Sequence, residues 1–309
     1  MGEREWDGWQ RVARGGTRRA DIFYYAREAP ADTKLDDAKS LRDDLTAARG
    51  DATWLDVDRL AAEVWDPRTT PSEARRKYLN QIIAAEDAWI APHEWRACEV
   101  ASAVLADGET ITLGFDGSKT DDHTALVATR CTDGCAFLLA GWDPKKQRAG
   151  EIPREEVDAA VASAFATFNV VAFYSDLSPW ESYVDAWARE FGKVDRFQGL
   201  CIGASPKHSI AFDMRARTRE FVLASERVHA EITDGVFKYA TSVMLTEHAL
   251  NARRRTNRWG ISFGKEHRES ARKVDALAAT ILSRLAYHDY LALPMSKRRP
   301  RRTNQAAFV

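Results

Sequence analysis

The sequence predicts an α/β protein: a mixed sheet flanked by helices and preceded by a helical connector. Three observations predict it. From about residue 108, apolar runs of strand length alternate with helical periodicities. Two of those runs end in an aspartate, Asp116 and Asp176. Before residue 100, apolar residues instead fall at helical spacing among many charges, and prolines break the pattern.

In the first stretch, Leu41, Leu45, Leu55, Val57, Leu60 and Val64 form a broken helical pattern interrupted by Pro67 and Pro71. Ser72 stands as the cap of a helix running through Glu73, Arg76, Leu79, Ile82 and Ile83. Trp54, Trp65, Trp89 and Trp95 are large apolar anchors that need a surface to pack on. The stretch therefore reads as a connector leaning on a neighbouring domain, without an autonomous core. Gly15-Gly16 and the polar residues 32–44 are expected to be poorly ordered. Residues 111–116 open the sheet as a buried strand; 126–130 and 136–142 follow, joined at Asp133-Gly134, as an antiparallel meander. Pro153 starts a helix carrying Val157, Val161, Phe165 and Phe168. Residues 170–176 then form a strand that, following a helix, lies parallel to the first. A helix over 180–191, a strand over 194–200, a helix over 207–224, a hairpin over 249–265 and a closing helix over 269–290 complete the order. This is the order of an RNase H-like fold. It divides the chain into a partly disordered helical connector (1–100), an RNase H-like domain (101–293) and a basic disordered tail (294–309).

Composition narrows the function. With 309 residues, 45% of them hydrophobic, the chain is long enough for a sizeable core. Its net charge of −1 does not by itself announce a nucleic-acid binder, but basic residues cluster late, at Arg253-Arg254-Arg255, Arg258 and the tail. No run approaches the roughly 18 apolar residues of a membrane span, so no membrane association is expected, and the N-terminus has no signal-peptide core. Cys98, Cys131, Cys135 and Cys201 lack a second pair at zinc-ligand spacing and read as reduced cytosolic thiols.

The chemistry-bearing residues are Asp116, Asp176 and Asp275. The last sits on the apolar face of the closing helix with Ala271, Leu277 and Leu282, where a carboxylate needs a partner or a metal. Two strand-end carboxylates and one helix carboxylate can converge on a pair of divalent cations, the apparatus of in-line phosphodiester cleavage. Alternative roles are a turn for Asp116, a helix cap for Asp176 (though Ser178 is the better-placed cap), and a salt bridge to Arg272 or Arg217 for Asp275. Asp122 is a further candidate ligand on the loop before the second strand. Lys265 and His267 precede the closing helix within reach of a phosphate, and Lys273 points to another helix face. His123 and His229 read as hydrogen-bonded structural residues. Arg253, Arg254, Arg255 and Arg258, around a turn at Thr256-Asn257, are the candidate duplex contacts. The competing role is a charged edge that blocks aggregation.

The segment from Trp89 to Tyr290 resembles the C-terminal nuclease domain of tailed-phage terminase large subunits. The resemblance rests on Gly114-Phe115-Asp116-Gly117-Ser118 with Asp121-Asp122-His123-Thr124, on Tyr174-Ser175-Asp176, and on Lys273-Val274-Asp275-Ala276-Leu277. The stretch with Tyr78-Leu79-Asn80-Gln81 and Trp95-Arg96-Ala97-Cys98 also looks like the family's. It implies an endonuclease with two Mg2+ (or Mn2+) held by Asp116, Asp176 and Asp275, cutting double-stranded viral DNA during genome packaging. It further implies a small terminase subunit, a portal and a packaging ATPase as partners, acting in the host cytoplasm rather than as a stable virion component. The family's Walker A loop has no counterpart here, so no ATPase activity is expected from this chain. The same carboxylate order also fits a Holliday-junction resolvase or a DDE-type recombinase. An actin-like nucleotide-binding domain would need a second phosphate-binding hairpin, and a packaging-motor docking module would be non-catalytic.

Overall fold

The computed structural model describes residue 12 and residues 25–30, 33–81, 87–147, 149–193, 200–266 and 270–298. It divides into two compact units: Met1–Asp87 with Ala91–His93, and Ala88–Ile90 with Glu94–Val309.

The first unit is helical. Helix α1 (Ala38–Arg49) starts at Asp37, whose carboxylate accepts the Lys39 and Ser40 amides; α2 (Val57–Val64) starts likewise at Asp56. Helix α3 (Pro71–Lys77) is capped by Thr70 rather than Ser72. Pro71 occupies the first helical position and Glu73 closes a capping box, so the start moves earlier than expected. This helix ends at Lys77, and Ile82 and Ile83 lie outside the described residues. Leu41, Leu45, Ala61, Val64 and Leu79 pack into a small core of their own. The connector reading is corrected accordingly, as is the expected disorder of residues 38–44; Gly15 and Gly16 lie outside the described residues. Trp54 remains 80% exposed, whereas Trp89 and Trp95 are buried in the second unit, which puts the boundary near residue 87 rather than 100.

The second unit contains α4 (Pro92–Ala97, whose first two residues fall in the other unit), β1 (Glu99–Val100), β2 (Thr110–Asp116), β3 (Thr124–Arg130), β4 (Cys135–Trp142), α5 (Arg154–Thr167), β5 (Asn169–Ser175) and α6 (Glu181–Phe191). There follow α7 (Thr218–Thr233), β6 (Lys238–Ala240), α8 (Val243–Asn251), β7 (Arg253–Asn257), β8 (Gly260–Gly264) and α9 (Asp275–Ala292). The sheet runs β1-β6-β4-β3-β2-β5. Strands β2, β3 and β4 form the antiparallel meander, turning at Gly134 with φ 73°, while β5 lies parallel beside β2. A meander with a parallel strand beside its first member is the RNase H-like arrangement. The β2–β5 register shifts between Ile111 and Thr112: Ile111 pairs with Val170 and Thr112 with Ala172, leaving Val171 as an extra residue.

The sheet is covered on both faces. Ile111, Leu113 and Phe115 pack on Val157 and Val161 of α5 and on Val184 and Trp187 of α6. On the other face, Val127 packs with Val228, Leu245, Leu277 and Ile281, while Ala172 and Tyr174 meet Leu282 and Ala286. Helix α9 lies directly on β2. A Cβ at Gly114 would stand 2.0 Å from the Ala279 carbonyl oxygen, so only glycine admits this approach. Thr112 Oγ1 donates to the Ser283 carbonyl at 2.8 Å, and Thr129 and Ser283 share a hydroxyl hydrogen bond of 2.7 Å.

Several expectations shift. Residues 207–217 are turns rather than helix, because Ile210 and Phe212 are buried in irregular chain and Asp213 accepts the Arg215 and Ala216 amides; the helix begins at Thr218. Residues 194–199 of the expected strand lie outside the described residues. Strand β6 and helix α8 were not expected; α8 takes up residues 249–251 of the expected hairpin, whose turn falls at Arg258-Trp259. The closing helix starts at Asp275, not near residue 269. Of the tail, Met295–Lys297 forms a short turn, Arg298 donates to the Leu293 carbonyl at 3.1 Å, and residues 299–309 lie outside the described residues.

Candidate functional site

Asp116 is the last residue of β2, and Asp176 follows the last residue of β5. The sheet ladder continues one step past β5: the Asp176 amide donates to the Phe115 carbonyl at 2.9 Å. The Asp176 carboxylate accepts the Met214 amide at 2.9 Å. It does not stand at the cap of α6, whose N-cap position is Trp180, not Ser178, and makes no side-chain cap hydrogen bond. Burial raises its pKa, Asp213 adds to the rise, and the Met214 and Leu177 amides oppose it. Asp213 escaped the sequence reading because nothing in its local pattern separates it from a turn aspartate.

Asp275 opens α9 and is only 6% exposed. Its carboxylate accepts the His123 amide at 3.2 Å, not an arginine; Arg217 instead faces Glu220 and stacks on Phe212. Burial raises its pKa to about 6, with the charge of Asp122 adding to the effect and Lys265 opposing it. Asp116 is also held well above its ordinary value, by burial first and then by the charges of Asp275 and Asp176. The three aspartates from β2, β5 and α9 thus share one electrostatic field.

Two lysines answer that field. Lys265, just after β8, and Lys273, just before α9, both pair with Asp122 Oδ1, Lys273 at 2.7 Å. Burial pushes the Asp122 pKa up, but the two ammonium groups outweigh it and hold it below its ordinary value. Lys273 does not point to another helix face. Val274 precedes the first turn, so helical spacing does not govern position 273. Behind Asp275, His123 Nδ1 and His248 Nε2 are 3.0 Å apart, and His248 Nδ1 accepts the Ala276 amide at 2.9 Å. Burial lowers the pKa of both rings, that of His248 to about 3. His229 lies edge-on to Trp89, and His267 lies outside the described residues.

Among the described residues, no three His, Cys, Asp or Glu side chains already stand at the separations of a metal's ligand shell. The donor set nevertheless fits a hard divalent cation. Carboxylate oxygens are the ligands Mg2+ and Mn2+ prefer, and the Lys265 ammonium already serves as a counter-cation whose charge reaches Asp116 and Asp275.

The arginine hairpin divides. Arg253 is 5% exposed and donates to the Leu250 carbonyl, so it is removed from the candidate duplex contacts. Arg255 is exposed but donates to the Lys265 and Glu266 carbonyls, tying the hairpin to the lysine loop. Arg254 is exposed, and Arg258 stacks over Trp259 at 4.6 Å from the ring centre.

Fold and site together define an RNase H-like α/β domain with convergent aspartates at the ends of adjacent strands. No protein-family model matches the chain. By sequence it is similar to the Gene 13 protein of Mycobacterium phage L5, 39% identical over 324 aligned residues covering 96% of this chain and 53% of that protein. The Gene 13 protein of Mycobacterium phage D29 is 38% identical over the same shares. The chain thus spans about half the length of the curated relatives it matches. Its structural neighbours are phage large terminases. The HK97 bacteriophage large terminase is 18% identical with a TM-score of 0.47, over 91% of this chain and 60% of that one. The large terminase nuclease of thermophilic phage G20c, solved with bound magnesium, is 11% identical with a TM-score of 0.42, over 66% of this chain and 98% of that one. No helix among the described residues is long and apolar enough to cross a membrane.

Proposed function

We propose that the chain is the nuclease part of a phage large terminase, a metal-dependent endonuclease that cuts double-stranded viral DNA during packaging. The observation that carries this reading is the shared field of Asp116, Asp176 and Asp275, three buried or half-buried carboxylates with raised pKa values beside a lysine pair. In a structural role these charges would be offset only by Lys265, whereas divalent cations would neutralise them. Asp116, Asp176 and Asp275 would hold the Mg2+ or Mn2+ ions. Such ions, when bound, supply a water of lowered pKa and stabilise the leaving 3′ oxygen. The protein's own part is to fix the carboxylates on rigid elements and to keep Asp122 ionised between Lys265 and Lys273. Exposed Arg254 and Arg258 are suited to backbone phosphates, which gives binding with little sequence preference. Packaging partners, namely a small subunit, a portal and an ATPase, belong to the same proposal; the chain carries no Walker A string of its own.

Plasmid nicking tests the reading. Cleavage is expected with Mg2+ or Mn2+, and its loss in EDTA and in Asp116→Asn, Asp176→Asn and Asp275→Asn with the circular dichroism spectrum retained. Cleavage that survives EDTA, or full activity in any one variant, overturns that assignment. Preference for a four-way junction over linear duplex would favour a resolvase, joining of ends a recombinase, and no cleavage at all a docking module.

A further inference from the structure

Three side chains unused by the nuclease reading form a line behind Asp275. His248, on α8, is buried, and its Nδ1 lies 2.9 Å from the Ala276 amide nitrogen. An amide N–H only donates, so His248 Nδ1 carries no hydrogen while that bond stands. Its Nε2 then carries the hydrogen and donates it to His123 Nδ1, 3.0 Å away. His123 is left with its own hydrogen on Nε2, directed at Asp143 Oδ1 at 3.3 Å. One end of the line fixes every assignment along it.

The line grips Asp275 from two sides. The His123 main-chain amide donates to the Asp275 carboxylate at 3.2 Å, and the His248 ring holds the amide of the very next residue. The Ala276 amide is one of the first-turn N–H groups of α9 that have no acceptor inside the helix, so the His248 ring takes the place of one. We propose that Asp143, His123 and His248 are positioning residues, a one-way chain of hydrogen bonds that sets where the Asp275 carboxylate stands relative to Asp116. The inference rests on the reading of Asp275 as a metal ligand. The direction of the chain argues against a proton shuttle: passing a proton inward would put hydrogen on His248 Nδ1, facing another N–H.

The test has two parts, both on the full chain. Long-range proton–nitrogen correlation spectra of the metal-free, nitrogen-15 histidine-labelled protein should show the Nε2–H tautomer at both His123 and His248. Mn2+ titration followed by electron paramagnetic resonance should show His248→Ala weakened about 10–100-fold, the usual loss when a partner behind a metal ligand is removed. His248→Asn, whose side-chain oxygen reaches near the position of Nδ1, should recover most of that affinity at an equal melting temperature. An Nδ1–H tautomer at His248, or unchanged Mn2+ affinity in a folded His248→Ala, overturns the proposal. If His248→Ala does not fold, the wild-type tautomers still decide. Wild-type protein with both Nε2–H tautomers but no Mn2+ binding would overturn the nuclease reading while supporting the one-way chain.

Discussion

In the metal-free protein, Asp275→Asn should stabilise the fold. The Asp275 pKa is raised from 3.8 to about 6, mainly by burial. A carboxyl with a higher pKa folded than unfolded destabilises the fold wherever it is ionised in both states, here above about pH 6, and that penalty fades as pH falls towards about 4. The difference is roughly two pH units, and at about 1.4 kcal/mol each this amounts to about 3 kcal/mol at pH 8. That is an upper figure, because Asp116 shares the same field. Asparagine keeps an oxygen for the His123 amide, so the contact survives while the charge goes. In EDTA at pH 8 the variant should melt higher by up to roughly 6–12 °C, taking about 2–4 °C per kcal/mol for a domain of this size. At pH 4.5 the two proteins should converge. Adding Mn2+ should raise the wild-type melting temperature by mass action and move the variant less. Circular dichroism melts at both pH values are the assay. A variant that melts at or below wild type at pH 8 in EDTA would show that Lys265 already balances the carboxylate, and the penalty argument would fail.

Four further outcomes are expected. Gly114→Ala should destabilise the second unit by at least about 1–3 kcal/mol, the usual range for overpacking, because its Cβ meets α9 backbone rather than a movable side chain; an unchanged urea midpoint would contradict the close stacking. Lys265→Ala should tighten Mn2+ binding in a titration, since an incoming cation no longer competes with an ammonium group at Asp122; weaker binding would assign Lys265 to holding the site open. Replacing Arg254 and Arg258 together should reduce the slope of log K against log salt by about 1.8, from about 0.9 per lost phosphate contact. Arg253→Ala should instead lower stability with the slope intact, and the reverse pattern would return Arg253 to the interface.

The central sheet was legible because its strands are continuous apolar runs closed by strong punctuation. Asp133-Gly134 marks the turn of the meander, and Asp116 and Asp176 end the two parallel runs. What stayed hidden depends on contacts between distant residues. Nothing near Lys273 announces a partner 151 positions away, and His123 and His248 look like isolated histidines until α8 folds against the sheet. Strand β6 has only three residues, too few for a period-2 signal. Ile210 and Phe212 stand at the i, i+2 spacing of a strand rather than a helix, and both are buried in irregular chain where Ala211 bridges to Ser175. The cap at Thr70 was readable in principle, since a capping box and a helix-opening proline both stand in the sequence.

Absorbing the extra residue of β5 in a bulge decides which side of the sheet the second aspartate serves. Val170, ahead of Val171, faces α5 and α6, and simple alternation from there would turn Asp176 the same way, with the sheet between it and Asp275. The inserted residue reverses the parity: Ala172 and Tyr174 now face α9, and Asp176 follows them to the side of Asp116. Deleting Val171 would therefore leave Asp176 in place, because Val170 and Ala172 would become neighbours and alternate normally; flattening the bulge with Val171 retained would instead evict the carboxylate and exchange Phe173 and Tyr174 between the two cores. A bulge inside an unbroken apolar run thus acts as the frame marker for the site, and no count of charged residues along the chain would reveal it.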